Sequence, residues 1–105
     1  MTTYYRIQEI GYTWEQTVAH KSSNWGEETD EGAPECGNGI CACSDEDALI
    51  DLIDEWFGAT PDELANYEIM VFRGMPIRDV GDGWLVEPLS EIERIDAEQF
   101  VEDNS

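Results

Sequence analysis

The sequence predicts a single small α+β domain: a mostly antiparallel sheet with one main helix, residues 45–57, packed on one face. Three observations lead there. A capped run of apolar residues at helical spacing follows Ser44. Short aromatic and β-branched runs stand before and after it, punctuated by Gly and Pro. The chain has 105 residues, 41% of them hydrophobic, including four Trp, four Tyr and three Phe. That is enough for one modest core, too rich in aromatics for a disordered chain, and short for two domains.

Taken in order, Tyr4 to Ile10 reads as a strand in which Tyr5, Ile7 and Glu9 alternate with Tyr4, Arg6 and Gln8. Gly11 punctuates it. Thr13–His20 is expected to form a short helix with Trp14 and Val18 on one face. Residues 22–38 are polar, acidic and Gly-rich, and read as a surface loop. Ser44 and Asp47 have the spacing of a capping box, and Asp45, Glu46 and Asp47 suit the positive end of a helix dipole. Leu49, Ile50, Leu52, Ile53, Trp56 and Phe57 then recur at helical spacing, and Gly58 stands where a positive φ commonly ends a helix. Leu49, Ile53 and Trp56 are expected to pack on Ile69, Val71 and Leu85.

Thr60-Pro61-Asp62-Glu63 reads as a second helix start, with Thr60 as cap and Pro61 at the first helical position. Tyr67–Arg73 reads as a strand ended by Gly74-Met75-Pro76. Asp79–Gly83 is a turn, and Trp84–Val86 a strand that pairs back before Pro88 breaks the ladder. Glu91–Ile95 is expected to be a last strand, with Asp96 capping a short helical turn through Phe100. The domain is expected to span residues 1–101, with 102–105 a frayed tail.

Charge is the dominant feature. There are 25 Asp and Glu against 5 Lys and Arg, for a net charge of −20. Residues 22–72 hold fourteen acids and no Lys or Arg. Such a chain lacks the cations that displace counterions from phosphates, so direct nucleic-acid binding is excluded as an expectation, and an anionic membrane surface is disfavoured likewise. The charge instead fits a basic protein partner. The candidate binding residues are Glu27, Glu28, Asp30, Glu31 and Glu35 in the loop and Asp47, Asp51, Asp54 and Glu55 on the outer stripe of the helix. Like charges at i,i+4 destabilise a helix by a few tenths of a kcal/mol per pair. A bland alternative is a solvated acidic surface, kept for solubility or salt adaptation, and Lys21 as the only Lys is compatible with it.

Cys36, Cys41 and Cys43 lie within eight residues, with His20 upstream. Three thiolates and one imidazole form a legitimate tetrahedral zinc set. The spacing contains no C-x2-C pair, and the competing reading makes Cys41 or Cys43 a small buried hydrophobe. No cofactor is therefore assigned. Acids are everywhere and His20 has no recognisable nucleophile beside it, so no catalytic set stands out and an enzyme is not expected. The N-terminus lacks the apolar core of a signal peptide, and no run approaches the roughly 20 apolar residues of a membrane helix, so a cytoplasmic location is expected.

Gly39-Ile-Cys-Ala-Cys-Ser44, the acidic capped helix, the Val/Phe-rich strand ending in Gly, and Asp-Gly before a strand ending in Pro follow one another. Together with Tyr5-Arg-Ile-Gln8, this order resembles small uncharacterised proteins of actinobacteria and their phages. The resemblance covers about half the chain and implies a small α+β domain, with no activity attached. In size and charge the chain is also similar to phage anti-CRISPR and anti-restriction proteins that mimic DNA, an analogy of composition. What these imply is a phage-encoded inhibitor, working in the host cytoplasm, that binds a basic nucleic-acid-binding protein or complex. The alternatives are a small zinc-stabilised interaction module or the soluble acidic domain above.

Overall fold

The computed structural model describes residues 2–20, 40–58, 61–79 and 83–104. Strand β1 (Thr2–Glu9) leads to helix α1 (Trp14–His20), strand β2 (Ile40–Ala42) and helix α2 (Glu46–Phe57). A 3-10 turn (Pro61–Asn66), strands β3 (Tyr67–Asp79) and β4 (Trp84–Asp96), and helix α3 (Ala97–Asp103) complete it. The sheet order is β1-β3-β4-β2 and every pairing is antiparallel. The α+β class read from the sequence is therefore the observed one.

Outside the ladder, Tyr5 and Cys43 exchange both backbone hydrogen bonds, at 2.9 and 2.8 Å. Cys43 directly follows β2, so this bridge brings the far edge of the sheet back to β1. The sheet curls strongly, and the long hairpin of β3 and β4 supplies the bend. Its register shifts three times, and each shift inserts one extra residue: Ile92, Leu89 and Ile77. All three are exposed. Such bulges bend a strand and increase its twist.

These bulges explain two departures from the sequence reading. β3 does not stop at Gly74–Pro76 but runs to Asp79, and Pro88 does not end β4, which joins Trp84–Val86 and Glu91–Ile95 into one strand. A proline lacks only the N–H, and beside a register shift the ladder tolerates that loss. Pro76 faces Val86, and Pro88 faces Gly74. At Gly74 the hairpin closes so tightly that a Cβ would collide with the Val86 side chain and lie 2.7 Å from the Glu87 carbonyl oxygen. Glycine is required there by close approach.

The sheet is covered on both faces. On one side Ile7, Cys41, Cys43, Ile69, Val71 and Leu85 pack with Leu49, Leu52, Ile53 and Phe57 of α2 and with Ala97 and Phe100 of α3. On the other side Tyr4, Ile40, Ala42, Met70, Phe72 and Val86 form a second layer, joined by Trp14 of α1 and Trp84. Complete burial of each large aliphatic or aromatic side chain contributes about 1.5–3 kcal/mol. The second layer makes the one-helix, one-face picture incomplete.

Helix α1 has a cap that the sequence reading passed over. Gln16 N–H donates to Thr13 Oγ1 at 3.1 Å, and Thr13 N–H donates to Gln16 Oε1 at 3.0 Å. This is a reciprocal capping box. Helix α2 is capped one residue later than expected: the Ala48 N–H donates to Asp45 Oδ1 at 2.7 Å, and Ser44 lies outside the helix. Asp45 has the extended backbone of an N-cap, φ −150°. Gly58 is αR with φ −54°, not left-handed, and a Cβ there would lie 2.6 Å from the Asp54 carbonyl oxygen. Glycine again serves close approach rather than a positive φ.

Trp56 is a further correction. It is 37% exposed, while Phe57 is buried and its ring meets Tyr67 edge-on at 5.0 Å. The last turn of α2 seats Phe57 over the start of β3, and Trp56 is left at the rim. Among the core partners read from the sequence, Leu49 and Ile53 do pack with Ile69, Val71 and Leu85. Asp96 precedes α3 without a side-chain cap bond. That helix continues through Asp103, and the Asn104 side chain donates to the Phe100 carbonyl at 2.9 Å. Residues 102 and 103 are thus helical where a frayed tail is expected. The loop 22–38, the Thr60 cap and residues 80–82 of the turn lie outside the described residues.

Candidate partner-binding face

Helix α2 presents its acids because its other side is committed to the core. At about 100° per residue, Asp47, Asp51, Asp54 and Glu55 fall within a stripe about 100° wide, and Leu49, Leu52, Ile53 and Phe57 lie opposite it. All four acids are exposed, as are Asp45 and Glu46 in the lines before them. The stripe rises about 6 Å every four residues, so Asp47, Asp51 and Glu55 stand two steps apart along about 12 Å.

No ion pair among the described residues reaches this stripe. Arg94 pairs elsewhere: its Nη1 lies 2.8 Å from Glu68 Oε2 and its Nη2 lies 3.0 Å from Glu91 Oε1. The same guanidinium donates to the Tyr12 carbonyl, tying the segment after β1 to β4. Arg6 is buried entirely. Its Nη1 donates to the Cys41 carbonyl at 2.7 Å and its Nε to Gln8 Oε1 at 3.2 Å. Burial pushes its pKa down to about 10, which still leaves it charged at neutral pH. Neither of these arginines is placed to neutralise α2, and the helix has no basic residue in its last turn.

The negative field is felt by its neighbours. The Tyr5 phenol has its pKa raised, first by burial and then by Glu46, Glu93 and Asp45. Tyr67 is raised by burial and then by Glu9 and Glu63. Glu9, Ile10, Glu63, Ala65, Asn66 and Tyr67 line an open cleft of about 660 Å³.

The chain matches no family model, no curated protein and no solved structure.

The remaining candidates divide sharply. Glu27, Glu28, Asp30, Glu31, Glu35 and Cys36, and the side chain of His20, lie outside the described residues. Cys41 of β2 and Cys43 just after it lie in one core layer, as i,i+2 residues of extended chain should, and both are fully buried under α2. Among the described residues, no group of three or more His, Cys, Asp or Glu is arranged to hold a metal. Likewise, no helix among them is long and apolar enough to cross a membrane.

The sequence reading missed the cleft. Glu63 was legible only as part of a helix start, and Glu9 only as a strand end. They meet because β1 pairs with β3 so that Glu9 stands opposite Tyr67, while the 3-10 turn delivers Glu63 just before that strand. No local sequence signal reports such a meeting.

Proposed function

We propose that this protein binds the basic nucleic-acid groove of a partner protein and blocks it, acting as an acidic mimic of a nucleic-acid strand. A CRISPR effector or a restriction enzyme of a phage host is the kind of target this reading favours. The observation that carries it is the row of exposed carboxylates at Asp47, Asp51, Asp54 and Glu55, engaged by no ion pair among the described residues. A helix that holds like charges at i,i+4 gives up a few tenths of a kcal/mol per pair. A cationic groove returns that energy on binding and adds attraction at long range, which raises association rates. The helix is anchored by four buried side chains, which keeps the acidic side turned outward.

The zinc-module alternative finds two of its four candidate ligands, Cys41 and Cys43, packed in the hydrophobic core.

The test is competition. The tagged protein is used to capture partners from a bacterial lysate, and each captured protein is mixed with fluorescent DNA or RNA. The reading expects displacement of the nucleic acid, weakening steeply between about 0.1 and 1 M salt as the Debye length falls from about 10 to 3 Å. A partner that holds this protein and nucleic acid at once would defeat the mimic reading.

A further inference from the structure

We infer that the cleft between the end of β1 and the start of β3 is a receptor for an arginine side chain of a protein partner. The inference stands on the cleft alone and needs nothing from the stripe on α2.

The cleft is concave and roomy, at about 660 Å³, and its walls are of two kinds. Ile10, 55% exposed, and the half-buried ring of Tyr67 offer apolar and aromatic surface. Glu9 and Glu63 are exposed carboxylates on its rim, and no salt bridge among the described residues engages either of them. The Tyr67 phenol is raised in pKa first by burial and then by these two carboxylates.

The scaffold holds these groups firmly. Glu9 stands opposite Tyr67 in the ladder, and the Ile10 N–H donates to the Asn66 carbonyl at 3.0 Å. Behind the ring lies Phe57, the last residue of α2, at 5.0 Å. The C-terminal end of a helix carries partial negative charge, and α2 has no basic residue there to offset it.

A guanidinium fits this combination better than other cations. It is planar, stacks on an aromatic ring, and presents a fork of N–H donors to carboxylates, while its three-carbon stem is covered by apolar surface. An ammonium is a compact, strongly hydrated charge and gains less from the ring. An anion is repelled outright.

The experiment uses the whole chain, labelled for NMR, titrated with acetyl-Gly-Arg-Gly-amide and with acetyl-Gly-Lys-Gly-amide. The arginine peptide should shift the Tyr67 ring and Ile10 methyl signals and bind about threefold or more tighter than the lysine peptide. The Glu9→Gln/Glu63→Gln variant should bind it about fivefold more weakly. The Asp51→Asn/Glu55→Gln variant loses the same two charges elsewhere and should change binding by less than about twofold. All four positions are exposed, so both variants should keep the fold, which thermal unfolding verifies. Equal losses in the two variants would reduce the cleft to part of a general field. Equal binding of the two peptides, or signals of Tyr67 that do not move, would overturn the assignment. Failure of the nucleic-acid competition experiment would leave these results untouched.

Discussion

Strand β1 and helix α2 both alternate polar and apolar residues, and they resolve the alternation in opposite ways. On α2 the polar stripe faces solvent with four carboxylates that no described cation meets. On β1 the polar row is inside: Arg6 and Gln8 are fully buried together with Thr17 of α1. Each of these three residues has a hydrogen-bond partner. Besides the Arg6 bonds to Cys41 and Gln8, the Gln8 amide donates to Thr17 Oγ1 at 3.0 Å. Buried polar groups stay only where hydrogen bonds replace water, whereas surface charge needs no partner at all. The difference teaches that polarity sorts by available partners as much as by solvent. It also separates a structural use of charge, in β1, from a surface free to serve binding.

The comparison breaks most easily at Arg6. Arg6→Met keeps most of the side-chain volume and deletes the donors. It leaves the Cys41 carbonyl and Gln8 buried without that partner, and the expected loss is about 2–4 kcal/mol, read from the urea midpoint at constant slope. An unchanged midpoint would mean that packing alone holds the inner row, and the contrast with α2 would collapse.

The next effect is the cap. Asp45→Ala removes the bond to the Ala48 N–H and should lower stability by about 1 kcal/mol, while Ser44→Ala should be close to neutral. A larger loss at Ser44 would move the helix start back by one residue.

How much of this was legible follows from the same contrast. α2 was readable because its periodicity, caps and apolar face agree with one another. Its start was misplaced by one residue, since Ser44 and Asp45 are both good caps and only geometry chooses between them. Trp56 was misassigned because periodicity fixes a direction around the helix and says nothing of where the underlying support ends. The hairpin was readable as a pair but was cut short at Pro76 and Pro88, because bulges absorb prolines without announcing themselves. On β1 the alternation was visible. That the row of Arg6 and Gln8 is buried depends on α1 and β2 arriving over it, and β2 belongs to distant sequence. The acidic stripe of the candidate face was readable from spacing alone, and the cleft of Glu9, Glu63 and Tyr67 was not, since only the β1–β3 register assembles it.

The stripe itself sharpens the comparison by a smaller amount. Neutralising Asp51, Asp54 and Glu55 to Asn, Asn and Gln relieves self-repulsion and should raise stability by a few tenths of a kcal/mol per interacting pair. Asp47→Asn should behave likewise, since the capping carboxylate is that of Asp45. The same triple change should weaken binding to the captured partner, with a shallower salt dependence. Rising stability with falling affinity marks charge retained for a partner. Unchanged affinity would return the stripe to the status of a solvated face.

The smallest expected effect lies where the two regions meet. Tyr5 belongs to β1, but its phenol is raised in pKa by burial first and then by Glu46 and Asp45 of the α2 start, with Glu93 between them in weight. Tyr67 is raised as well. A tyrosine whose folded pKa exceeds its unfolded value, about 10, contributes stability that is complete below that pH. Above it the unfolded chain releases its proton first, so stability falls as pH climbs through the folded pKa. Thermal unfolding followed between pH 9 and about 11 should therefore show a decline, and Tyr5→Phe should flatten it in part. Glu46→Gln removes the larger of the charge contributions at Tyr5 and leaves Tyr67 alone. It should shift the Tyr5 phenolate absorbance to lower pH without moving that of Tyr67. If both phenols moved together, or neither did, the field at the start of α2 would not reach β1, and the two regions would be electrostatically separate.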